Sequence, residues 1–154
     1  MKEILSKKGF TMIEMVLVLA LIGILLGMSV LYYGNSQVRA DINTQASNIV
    51  HYLRLAQSAA SSGLNNKSHG IHFEAASYTT FEGDSYLPTD PENFIVVLPQ
   101  TMTINSIALN GNGNDVIFSK TNGETINQGT ISLNSAQINK TIPITITTIG
   151  TINY

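Results

Sequence analysis

Apolar and polar positions divide the chain into three stretches. From Met15 to Tyr33 the sequence MVLVLALIGILLGMSVLYY runs for 19 residues without a charge. A helix of that length rises about 1.5 Å per residue and nearly spans a hydrocarbon layer of about 30 Å. Beyond it, Val38, Ile42, Ala46, Ile49, Leu53, Ala56 and Ala60 recur at intervals of three and four. That spacing predicts one apolar stripe on an amphipathic helix, with Gln37, Asp41, Gln45, Asn48 and Arg54 mainly off it. Ser61-Ser62-Gly63 predicts the end, since Gly63 can take the left-handed conformation that closes a helix. One helix from about residue 11 to 62 would be about 75 Å long.

From His69 onward the period becomes two. The expected strands are 70–73, 78–81, 94–98, 101–109, 116–119, 130–133 and 142–149, rich in Ile, Val, Thr and Phe. Asn110-Gly111-Asn112-Gly113 reads as a hairpin turn between two of them, and Asn122-Gly123 and Gln128-Gly129 as further turns. Pro143 lacks an N–H and belongs at a sheet edge or strand start. The alternation slips at Thr147-Thr148, which predicts a bulge near Gly150. The fold class is α+β. A long N-terminal helix, with a membrane or filament half and an amphipathic half, packs on a C-terminal antiparallel β domain.

Charge sets the orientation. Lys2, Lys7 and Lys8 precede the apolar run, and the next basic residue is Arg39. The positive-inside rule therefore keeps the N-terminus cytoplasmic and exports the rest. A cleaved secretory signal has an apolar core of about 7–15 residues, and this run is longer. Glu14 also stands at its start, where a carboxylate buried in lipid costs a few kcal/mol and calls for a neutralising partner.

Composition removes several functions. Charged residues are 12% of the chain, about half the usual share. Beyond Gly9, five basic residues face nine acids, a net of −4, which disfavours nucleic acid as a partner. The absence of Cys excludes disulfides, thiolate zinc sites and thiol catalysis. His51, His69 and His72 suggest a metal, but in a strand His69 and His72 fall on opposite faces, so structural or surface roles are expected and no metal. Glu82, Asp84, Asp90 and Glu92 lie in segment 82–93. Their spacing departs from the EF-hand loop, and a solvated acidic loop is expected, with calcium as the alternative. No nucleophile, acid/base pair or phosphate-cradling loop is recognisable, so no enzyme and no cofactor is expected. Asn66-Lys67-Ser68 and Asn139-Lys140-Thr141 match a glycosylation pattern that chance explains in a chain rich in Asn and Thr.

Lys7-Lys8-Gly9-Phe10-Thr11-Met12-Ile13-Glu14, followed by the apolar run, resembles the processing site of type IV prepilins and pseudopilins. The resemblance implies a prepilin peptidase, a membrane-embedded aspartic enzyme, that cuts after Gly9 on the cytoplasmic side and N-methylates Phe10. Gly9 has no Cβ, which lets an extended backbone enter a narrow cleft. The new amine is cationic, and in a filament core Glu14 is expected to pair with the Phe10 amine of a neighbour. Desolvation opposes such a pair, so Glu14 sets register more than it adds stability. The domains follow as leader 1–9, transmembrane or filament-core helix 10–34, amphipathic half 35–62 and β-rich head 63–154.

Leu55-Ala56-Gln57-Ser58-Ala59-Ala60 and the late run Ile146-Thr147-Thr148-Ile149-Gly150-Thr151-Ile152 are similar to H-type pseudopilins and FimT-like (GspH/FimT-like) minor pilins. Gln57 and Ala59 stand where that subgroup often carries an Arg–Glu pair. The implied function is a structural subunit, minor pilin or pseudopilin, of a type IV pilus, a competence pseudopilus or a type II secretion system. The implied partners are prepilin peptidase, other pilin or pseudopilin subunits, the inner-membrane assembly platform and membrane lipid. The implied location is the cytoplasmic (inner) membrane, single-pass with the C-terminal domain outside, and the pilus or pseudopilus after assembly. One alternative is a tip minor pilin that binds DNA, yet Lys120 and Lys140 are the only basic residues after Lys67. Another is a membrane-anchored domain that never polymerises.

Overall fold

The structure, a computed structural model, describes residues 9–154, apart from the side chains of 28–35. The leader positions 1–8, with Lys2, Lys7 and Lys8, lie outside the described residues. The chain divides into two compact units, Met1–Gln37 and Val38–Tyr154. Helix α1 spans Met12–Ser61 and contributes to both.

In the first unit every described side chain from Gly9 to Gly27 is exposed, and Met12 and Phe10 are 88% and 79% exposed. Among the described residues no helix is long and apolar enough to cross a membrane. Residues 12–27 extend about 24 Å at the helical rise, short of a full hydrocarbon layer. The remainder of the apolar run read from the sequence, 28–33, lies outside the described side chains.

In the second unit the stripe is buried as its spacing predicts. Ile42, Ala46, Ile49, Leu53 and Ala60 are fully inaccessible, and Val38, Val50 and Ala56 are nearly so. Gly63 ends the helix in the left-handed region, at φ 68°, ahead of a short 3-10 turn at Leu64–Asn66.

Eight strands form two four-stranded sheets, and every pairing is antiparallel. The first contains β1 (His69–Phe73), β2 (Ser77–Glu82), β3 (Phe94–Val97) and β5 (Asp115–Phe118) in the order β3-β2-β1-β5. The second contains β4 (Thr103–Leu109), β6 (Gly129–Ser135), β7 (Lys140–Ile146) and β8 (Ile152–Asn153) in the order β4-β6-β7-β8. Ile71, Phe73, Tyr78, Val116 and Phe118 from one sheet and Ile131, Leu133, Ile144 and Ile146 from the other form one core with the helix stripe.

Seven strands lie where the alternation puts them, but two local readings need correction. The Asn110–Gly113 run is not a hairpin. β4 pairs with β6 while β5 pairs with β1, so this loop carries the chain from one sheet to the other. The late strand does not continue to 149, and there is no bulge at Gly150. β7 stops at Ile146, the Gly150 amide donates to Thr147 O at 2.9 Å, and the chain reverses to pair Ile152 with Ile146. The register shift is in β4 instead, between Ile104 and Ser106. Pro143 is exposed and pairs only with β6, because β8 reaches no further than Thr145 and Ile146. Its missing N–H therefore costs no ladder bond.

Candidate functional site

The start of α1 carries the residues singled out by the sequence. Phe10 precedes the helix and Thr11 is its N-cap. Thr11 Oγ1 accepts the backbone N–H of Glu14 at 3.3 Å, and the Glu14 carboxylate accepts the backbone N–H of Thr11 at 3.3 Å. This is a reciprocal capping box, which satisfies two donors that a helix start otherwise leaves free. The carboxylate also stands in the first turn, at the positive end of the helix dipole. Thr11-x-x-Glu14 is a sequence signature of this cap. Glu14 thus has a local partner besides the intermolecular one expected from its charge.

A Cβ added at Gly9 meets nothing within 4 Å among the described residues, and the same holds at Gly23 and Gly27. The adjoining surface, from Met12 to Leu25, is apolar and exposed among the described residues.

The other candidates do not converge on one centre. His51 is exposed on α1, with its ring 5.8 Å from that of Tyr52. His69 is buried and its Nε2 lies 3.2 Å from Leu64 O. His72 is on the opposite face of β1. Its Nδ1 lies 2.5 Å from Asp115 Oδ1, and its ring stacks on Tyr86 at 4.0 Å. Partners 43 residues apart leave no local signal, and the sequence does not foretell this cluster. Among the described residues no group of three or more His, Cys, Asp or Glu could hold a metal ion.

The acidic loop is split between separate partners. Glu82 accepts Asn65 Nδ2 at 2.9 Å and Lys67 Nζ at 3.3 Å, Asp84 accepts Ser68 Oγ at 2.6 Å, and Asp90 accepts the Glu92 amide at 3.0 Å. Asn66 and Asn139 are both exposed. Lys140 donates to Asn43 Oδ1 at 2.8 Å, whereas Lys120 follows β5 in the other sheet.

Gln57 takes a structural role. Its Nε2 donates to Gly123 O at 3.2 Å and to Ile149 O at 3.4 Å, which ties two loops to the end of α1. Gly123 and Gly150 approach it with φ 66° and 81°, conformations that suit glycine.

Residues 4–30 match the family described as the prokaryotic N-terminal methylation motif. No curated protein matches the chain. Among solved structures the chain is similar to the minor pseudopilin EpsH from the type 2 secretion system of Vibrio cholerae. The TM-score is 0.54 at 14% identity, over 73% of this chain and 94% of that one. The matched motif contains Gly9, Phe10 and Glu14. One polypeptide thus joins the N-terminal methylation motif to an α+β fold similar to that of the pseudopilin EpsH.

Proposed function

We propose that the chain is a structural subunit, a minor pilin or pseudopilin, that a prepilin peptidase matures and that assembles with related subunits through α1. The observation that carries this reading is the methylation motif over residues 4–30, which overlaps a helix whose described apolar side chains are exposed from Met12 to Leu25. Such a face needs lipid or neighbouring helices, and a subunit that moves from membrane to filament meets both in turn.

In this reading cleavage follows Gly9 and exposes the Phe10 amine, which is then methylated and stays cationic. Glu14 guides the subunit into register by meeting the Phe10 amine of a neighbour. The head remains outside the cytoplasmic membrane and then on the surface of a pilus or pseudopilus. A type IV pilus, a competence pseudopilus and a type II secretion system all use this design. The fold likeness to EpsH supports the pseudopilin form.

Mass spectrometry of the membrane fraction tests the proposal. The expected mature protein begins at N-methylated Phe10, and Gly9→Ala accumulates the uncleaved form. A mature protein that retains Met1 would refute the reading.

A further inference from the structure

The β3 edge combines two features that fit a single kind of partner. Phe94-Ile95-Val96-Val97 is a continuous apolar run, the composition of a strand covered on both faces. Yet Phe94, Ile95 and Val97 are 54%, 59% and 72% exposed, and β3 is the outermost strand of its sheet. The phase of its hydrogen bonds is fixed by the Leu98 amide, which donates to Ala76 O at 2.8 Å. Alternation then turns the N–H and C=O of Phe94 and Val96 toward β2 and those of Ile95 and Val97 toward the open side. Exposed edges are ordinarily guarded by Lys, Pro or a bulge, and β3 contains none of these.

On the helix side, the edge continues into a cavity of about 380 Å³ walled by Tyr52, Leu55, Leu64 and Phe94. Glu82 and Glu92 also line it, and no Lys or Arg does. Glu82 is held by Lys67, whereas Glu92 has no ion pair among the described residues.

We propose that β3 takes up an extended segment of another polypeptide as a fifth strand, with an apolar side chain in this cavity and a Lys or Arg against Glu92. Strand addition draws affinity from main-chain hydrogen bonds and specificity from pockets for alternate side chains. Residues opposite Ile95 and Val97 exchange both backbone bonds with them. The residue opposite Phe94 shares its face and points to the helix side, where Tyr52 and Leu55 form the wall. The unpaired Glu92 carboxylate favours a cationic segment and repels an acidic one.

The test uses the full chain in detergent micelles and fluorescein-labelled acetyl-Lys-Thr-Leu-Thr-Val-Thr-Lys-amide, read by anisotropy. Its Leu and Val share one face, and its Thr amides face β3. Saturable binding is expected, and it should weaken about tenfold or more in three cases. These are N-methylation of the Thr amides, exchange of both Lys for Glu, and Leu55→Gln in the protein, which removes apolar wall without adding charge. Leu55 is 54% exposed on α1, and circular dichroism confirms that the variant keeps its fold. No saturable binding up to millimolar peptide overturns the proposal. So does binding indifferent to N-methylation or to Leu55→Gln. Dimerisation of the chain alone, abolished by Val97→Pro at the outward-facing amide, would give the edge to a second copy and equally overturn it.

Discussion

Thr11 and Glu14 cap each other across the first turn of α1, each backbone N–H donating to the other's side chain at 3.3 Å. The carboxylate therefore has a local role before any neighbour arrives. Cleavage after Gly9 would create an amine one residue before Thr11, within the same stretch of chain.

The two roles separate by mutation. Thr11→Ala removes the cap, a cost of about 1 kcal/mol in helix stability, and leaves the charge in place. Glu14→Leu removes both cap and charge. Under the proposed assembly it would leave the neighbour's amine buried and unpaired, at a cost of about 3–5 kcal/mol. Thr11→Ala should enter filaments nearly as well as wild type, Glu14→Asp less well, and Glu14→Leu least, all with normal cleavage. The sheared extracellular fraction measured against the membrane fraction reads this order. Equal loss in Thr11→Ala and Glu14→Leu would assign Glu14 to capping alone.

The second unit carries its own core, and the stripe from Val38 to Ala60 lies within it. A polypeptide beginning at Asn35 should be soluble, monomeric and β-rich with one helix. Size-exclusion chromatography and far-ultraviolet circular dichroism check it. Aggregation or a disordered spectrum would show that the first unit is needed for folding.

Gly150 should not tolerate a side chain. Its φ is 81°, and an added Cβ would collide with Gln57 Nε2 and approach the Gly123 carbonyl oxygen at 3.0 Å. Gly150→Ala should cost about 2–3 kcal/mol, from left-handed strain and displacement of the glutamine. Gln57→Ala alone should cost about 1–2 kcal/mol for two lost hydrogen bonds. The double variant should lose less than the sum, since the clash disappears with Gln57. Urea unfolding of the four proteins gives the coupling.

Tyr78 predicts an alkaline limit to stability. Its side chain is fully buried, its hydroxyl has no hydrogen-bond partner among the described residues, and its ring lies 5.6 Å from that of Tyr52. Burial first, and then Tyr52, push its pKa from 10.0 up to about 12. The unfolded hydroxyl ionises from about pH 10, whereas the folded one stays neutral to about 12, so this contribution is complete below pH 10 and is lost between them. The loss is about 1.4 kcal/mol per pH unit. Tyr78→Phe should remove that difference and keep or slightly raise stability at neutral pH, because the unpaired hydroxyl goes. Unfolding midpoints of both proteins between pH 9 and 12 decide it.

The helix was legible because its burial has the period of its own backbone, so Ile42, Ala46, Ile49 and Leu53 announce their shared face. Strand positions were legible for the same reason. Strand partners were not. Asn110-Gly111-Asn112-Gly113 has ideal hairpin chemistry, but β5 buries Val116 and Phe118 beside β1, and that long-range gain prevails over the turn. β8 has two residues, too few to show a period, and the slip at Thr147-Thr148 was the trace of a reversal. At the N-terminus the motif is legible as a pattern, and the Thr11–Glu14 cap is encoded in the same residues by the spacing Thr11-x-x-Glu14. His72, Asp115 and Tyr86 come together only through sheet register and the fold of the 83–93 loop, and no spacing encodes either.

Residues 152–154 close back on the second half of α1. Tyr154 OH lies 2.6 Å from Ser47 Oγ across 107 positions, and Arg54 Nη2 donates to Ile152 O across 98. In a chain threaded N-terminus first, the apolar stripe of α1 would emerge early, and β7 and β8, part of its cover, would arrive last. Closing such long intervals is slow compared with forming a helix, so the stripe stays uncovered during delivery. That interval is when a chaperone or the membrane surface can hold the chain, and a stall before residue 152 leaves it in that state.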